Sequence, residues 1–130
     1  MKSINPADYQ RTRSPAAIMS KTYVHGAEVA AHTHRRNQLI WAETGLMHVR
    51  AEASVWVVPS QRALWVPAGL MHSLRMVGEV RMRTLYVEPS ATTQGTPAVC
   101  KLVLISPLMR ELLLRPLIIA TRRHNRRLPF

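Results

Sequence analysis

Apolar residues between positions 18 and 105 do not recur at helical spacing. They come in short runs rich in Val, Leu, Trp, Thr and Tyr, each closed by Gly or Pro. The breaks fall at Gly26, Gly45, Pro59, Pro67-Ala68-Gly69, Gly78 and Pro89. This punctuation predicts strands over 23–25, 39–43, 47–51, 55–58, 63–66, 72–77, 80–87 and 99–105, arranged as an antiparallel sandwich or barrel. The texture changes at Ser106, a good N-cap followed by Pro107 at the first helical position. Leu108, Met109, Leu112 and Leu113 then share one helix face, and Pro116 ends or kinks the helix. The organisation predicted is an irregular arm over 1–15, a β body over 16–105, and a helix with a basic tail over 106–130.

Length and composition narrow the class. The 130 residues make one domain, and 47% apolar content with 19% charged residues argues against disorder. The lone Cys100 excludes an intrachain disulfide, and its apolar setting predicts an inert thiol. The first residues lack a signal peptide's apolar core. Arg110, Glu111 and Arg115 interrupt the longest apolar stretch, so no membrane span is expected. The expectation is a soluble cytoplasmic protein. Its formal charge of +11 would suit nucleic acid or anionic ligands. Without a stacking, zinc-finger or helix-turn-helix motif, an arginine-rich solvated surface is the better reading. Arg122, Arg123, Arg126 and Arg127 read the same way, as a solvated tail.

Histidines carry the chemistry. His32 and His34 stand two apart, so on a strand both side chains share a face. Gln38 can join them from the next strand, and the Pro67-Ala68-Gly69 turn can swing in His72 from a third. Three imidazoles and an amide oxygen would make a site for a divalent transition metal such as Zn, Ni, Fe or Mn. The alternative is an empty barrel that recognises an organic ligand. By strand parity Ile40, Leu74 and Met76 face the same interior and would line its ligand-binding part, subject to a bulge shifting the register. Leu39 and Trp41 face the other way on a strand apolar on both sides, which predicts a second covered surface such as a partner subunit. The helix over 108–113 is open to two roles, a homodimer face or a fold-back onto its own barrel. His25, His48 and His124 lack comparable context, and Trp56, Trp65, Met47, Met71, Met82 and Tyr86 read better as packing than as pocket walls. No evident carboxylate pair or Gly-rich phosphate loop supports hydrolysis or nucleotide binding.

These spacings resemble the two motifs of the cupin superfamily. Gly26, His32, His34, Gln38 and Gly45 follow the first, with Gln where the family has Glu. Pro67, Gly69 and His72 follow the second, with Gln61 in place of its first glycine and Met76 in place of its final Asn. The resemblance implies a mainly β cupin (double-stranded β-helix or jelly-roll) barrel, with His32, His34, Gln38 and His72 at the metal-ligand positions. Gln for Glu removes an anion, which weakens metal affinity and alters redox behaviour relative to family oxygenases. A narrower resemblance runs through 62–69, 83–87 and 106–112, which look like the N-terminal sensor domain of AraC-type transcriptional regulators. It implies a non-enzymatic sensor of a small-molecule effector or metal. DNA would be reached only through a helix-turn-helix domain, and the residues after the helix are too few to hold one. The alternative function is a small metal-dependent cupin oxygenase or isomerase, supported by the ligand set and opposed by the missing Glu.

Overall fold

Alternating burial marks the strands. In Val80–Val87 buried residues occupy every second position, and in His72–Val77 the same period holds. The computed structural model describes residues 15–91, 96–115 and 118–119. Its strands are β1 (Ala16–Tyr23), β2 (Glu28–His32), β3 (Asn37–Ala42), β4 (Leu46–Ala51), β5 (Ser54–Val58), β6 (Arg62–Val66), β7 (His72–Val77), β8 (Val80–Val87), β9 (Lys101–Leu104) and β10 (Ile118–Ile119). They form a six-stranded sheet in the order β10-β1-β8-β3-β6-β9 and a four-stranded sheet in the order β2-β7-β4-β5. All pairings are antiparallel.

The core lies between the two sheets. Ile40, Leu64, Met82 and Tyr86 from the larger sheet meet Met47, Val49, Leu74 and Met76 from the smaller. Ile40, Leu74 and Met76, expected to line a ligand-binding interior, do face the space between the sheets and are no more than 5% exposed. Gly45 closes the β3–β4 turn at φ +73°, and a Cβ there would stand 2.6 Å from the Glu79 carbonyl oxygen. The two turns on that side touch too closely for a side chain.

The first two strands correct the sequence reading. In place of one short strand over 23–25, the chain runs extended through β1, turns around Gly26, and runs extended again through β2. The alanine- and serine-bearing β1 has modest β propensity. Pairing with β8 along all eight of its residues supplies the ladder that propensity does not. β9 is shorter than expected, four residues long.

The helix starts as the sequence predicts. Ser106 caps α1 (Pro107–Leu113), its hydroxyl accepting from the Met109 N–H at 3.1 Å, with Pro107 in the first turn. The shared face divides, however. Leu113 is fully buried and Met109 packs beside it, while Leu108 is 72% exposed. Leu113 joins Leu39, Trp41 and Ala63 in a second apolar cluster on the outer side of the larger sheet. The surface expected to meet a partner subunit is thus covered by the chain's own helix. Arg110 lies over the Trp41 ring, 5.3 Å from its centroid. The basic tail and nearly all of the N-terminal arm, with His124, lie outside the described residues.

Candidate metal centre

Local sequence brings the histidines together in three steps. β2 meets β7 with Val29 opposite Leu74, but His32 opposite His72, so a bulge adds one residue between them. Val29 and His32 both pair with inner residues because of that extra residue. Without it the parity of β2 would send His32 to the outer face. Next, the Pro67-Ala68-Gly69 turn is tied to the His34 segment. The Gly69 N–H donates to the His34 carbonyl at 2.8 Å, and the Ala68 N–H donates to Asn37 Oδ1 at 2.8 Å. Gly69 adopts φ +80°, a left-handed conformation that suits glycine. Finally, the segment between His34 and β3 is anchored by Arg35 and Arg36, which both reach the Glu88 carboxylate.

The result is a compact imidazole cluster. Ring centroids of His32 and His72 lie 4.4 Å apart, those of His32 and His34 4.5 Å, and those of His34 and His72 5.3 Å. One ligand nitrogen from each falls within 4.8 Å of the others. His72 is buried, and His32 is partly exposed at the mouth.

Backbone carbonyls set the tautomers. Nδ1 of His32 lies 2.7 Å from the Ala30 carbonyl, and Nδ1 of His72 lies 2.9 Å from the Leu70 carbonyl. A neutral ring that donates through Nδ1 keeps Nε2 bare, the form a metal needs. The His72 Nε2 is buried and has no hydrogen-bond partner. The His32 Nε2 faces the His34 Nε2 at 2.9 Å, so one proton lies between them when no metal is bound. Burial, reinforced by the neighbouring His32 and His72, lowers the His34 pKa to about 4. Burial also lowers that of His72. Both rings are neutral at pH 7, and coordination displaces the proton shared between His32 and His34.

Gln38 lies on the inner face of β3, paired with Tyr86 on one side and Val66 on the other. The Tyr86 ring sits 5.4 Å from that of His34, which places Gln38 on the rung beside the cluster. Its Oε1 is buried and unpartnered. Two orphaned acceptors at one end of a barrel, Gln38 Oε1 and His72 Nε2, are costly unless something binds there. The donor set fits a divalent metal.

Other residues resolve simply. His25 accepts the Gly78 N–H through Nδ1 at 2.8 Å, a turn contact. His48 sits away from the cluster, on β4 opposite Arg75 and Val57. Met47, Met82 and Tyr86 are buried in the core, Met71 is 60% exposed, and Trp65 packs on the outer cluster. Burial and the nearby Glu52 push the Cys100 thiol up to about 12, so it is inert. Sequence reasoning missed Asn37, Arg36 and Glu88, which hold the segments that carry the histidines. Their partners lie 31 and 52 positions away in the chain, and no local signal announces such pairs.

The two sheets and the histidine mouth define a cupin fold. A conserved protein of unknown function from Streptococcus pyogenes aligns with a TM-score of 0.56 and 22% identity, over 62% of this chain and 70% of its own. A cupin superfamily protein from Desulfitobacterium hafniense aligns at 0.54 and 18% identity, over 59% and 71%. Oxalate decarboxylase from Bacillus subtilis aligns at 0.54 and 17% identity, over 62% and 23%. In sequence, the chain is 42% identical over 83 residues to the HTH-type transcriptional regulator NimR of Escherichia coli (strain K12). That match spans 64% of this chain and 30% of the regulator. No protein-family model matches. No helix among the described residues is long and apolar enough to cross a membrane.

Proposed function

We propose that this cupin is the sensor domain of an AraC-type transcriptional regulator. It binds a divalent metal, a small effector or both, and works without catalysis in the cytoplasm. The supporting observation is the 42% identity to a transcriptional regulator, carried on a barrel whose three histidines converge. His32, His34, Gln38 and His72 hold the metal, and Ile40, Leu74 and Met76 form the apolar floor beneath it. DNA is reached through a separate helix-turn-helix domain, since the described residues contain one helix of seven residues. A second copy of the chain would dock on the exposed Leu108 and Leu112, and sedimentation of Leu108→Glu against wild type reads that contact.

Barrel contents would reach α1 through β3. The same strand carries Gln38 and Ile40 inward and Leu39 and Trp41 outward against Leu113. A sensor requires different ligand affinity in two arrangements of that helix. The test is amide hydrogen exchange of the chain with and without Zn²⁺, alongside elemental analysis of His32→Ala. Slower exchange in α1, with loss of metal in the variant, is expected. Metal binding that leaves α1 exchange unchanged would refute the sensor. The second reading, a metal-dependent oxygenase or isomerase, draws support from the histidine cluster alone. Turnover of oxygen by metal-loaded protein would establish it in place of the sensor.

A further inference from the structure

The charge of the histidine site defines the chemistry of what it senses. Its side chains are three imidazoles and, beside them, one amide, none of which brings a negative charge to a metal. Among the described residues no carboxylate joins the cluster. The six described acids are accounted for elsewhere. Glu43 pairs with Arg83, Glu88 holds Arg35 and Arg36, and Glu52 accepts the Cys100 N–H. Glu28, Glu79 and Glu111 are exposed.

A divalent ion here keeps its full double charge. It would sit beside the buried His72 and Gln38, above an apolar floor, where poor solvation makes an uncompensated charge expensive. Two buried atoms, Gln38 Oε1 and His72 Nε2, are committed to the cation and supply no charge. Among the described residues nothing supplies the compensating charge, and an external anion is the remaining source.

Resting on the metal reading above, we infer that the site takes its metal together with a small anion, and that the effector is a carboxylate or similar oxygen-donor anion completing the coordination. The arrangement works as an AND gate. Because coupling between two bound species is reciprocal, the anion tightens the metal and the metal tightens the anion. Gln38 sets the gate, since an acid at that position would supply the charge internally.

The experiment titrates the 130-residue chain with Co²⁺, reading the visible absorption bands. It is done in sodium perchlorate and in sodium acetate of equal ionic strength, free Co²⁺ being corrected for the weak acetate complex. Acetate is expected to raise the apparent Co²⁺ affinity at least tenfold and to change the visible spectrum. Gln38→Glu is expected to bind Co²⁺ at least tenfold more tightly in perchlorate and to lose most of the acetate effect. Acetate dependence below twofold in the wild-type chain overturns the inference while leaving metal binding intact; this is also the result if hydroxide from water supplies the charge. Failure to bind Co²⁺ in either salt overturns the metal reading itself. If Gln38→Glu does not fold, the wild-type comparison of the two salts decides alone.

Discussion

The two faces of β3 are equally buried and differently finished. Outward, Trp41 and the neighbouring Trp65 have their indole N–H groups satisfied, by the Ser60 carbonyl at 2.6 Å and the Pro97 carbonyl at 2.8 Å. Outward, one buried polar atom lacks a partner, Arg83 Nε, on a guanidinium whose other nitrogens reach Glu43 and the Leu114 carbonyl. Inward, such atoms lie on Gln38, His72, Thr84 and Trp56, and those of Gln38 and His72 stand together at the mouth. Burial alone therefore does not distinguish a scaffold from a site. Clustering of unpartnered acceptors does, because an unmade buried bond costs about 1–3 kcal/mol and Gln38 Oε1 and His72 Nε2 leave two such costs at one mouth. The outer face is built for stability and the inner mouth for a ligand.

The sharpest way to break this contrast is Trp41→Ala. It empties a fully buried position of the outer cluster, and a loss of about 3–5 kcal/mol is expected in urea unfolding. Metal affinity of the folded fraction should change little. A variant that kept its stability but lost metal would reverse the assignment of the two faces.

Acid should act on the inner mouth. The folded His34 titrates at about 4 against an ordinary 6.5, so between those values the unfolded chain binds more protons. Its contribution is complete above pH 6.5 and is lost as pH falls toward 4. Melting temperature should fall over that window, and His34→Gln should flatten the profile there. An equally steep profile in the variant would assign the acid sensitivity elsewhere.

Gln38→Leu inverts the logic of the first substitution. It replaces an unpartnered buried amide with an apolar side chain of similar size, so stability without metal should stay within about 1 kcal/mol of wild type. Metal binding should weaken. A loss as large as that of Trp41→Ala would show that Gln38 is structural.

The smallest effect is expected from Arg110→Ala. The guanidinium covers Trp41 from the surface side of α1, a contact worth about 0.5–1 kcal/mol at an exposed position. Urea unfolding should register that difference with no change at the mouth, and a shift in metal affinity would connect helix and barrel more tightly than packing alone.

Much of this molecule is readable along the chain, because period-two burial and Gly or Pro punctuation are local. They locate β7 and β8 to the residue, and Ser106-Pro107 fixes the start of α1. The motif spacing of His32, His34 and His72 names the cluster, although His34 lies just beyond β2 and strand parity is not what joins it to His32. Elements whose support comes from distant partners were not legible. β1 forms because β8 offers it a full ladder, and the division of α1 into Leu113 and Leu108 sides depends on where the sheet lies.

Residue types and their separation along the chain therefore determined the sheet class, the helix start and which imidazoles could meet. Tertiary structure alone decided that a bulge in β2 turns His32 inward, that Asn37 and the His34 carbonyl hold the turn preceding His72, and that α1 closes the outer face. Pattern is a property of neighbours in sequence. Register, tautomer and the pairing of buried polar atoms depend on groups tens of residues apart, whose positions are set only when the two sheets close on each other.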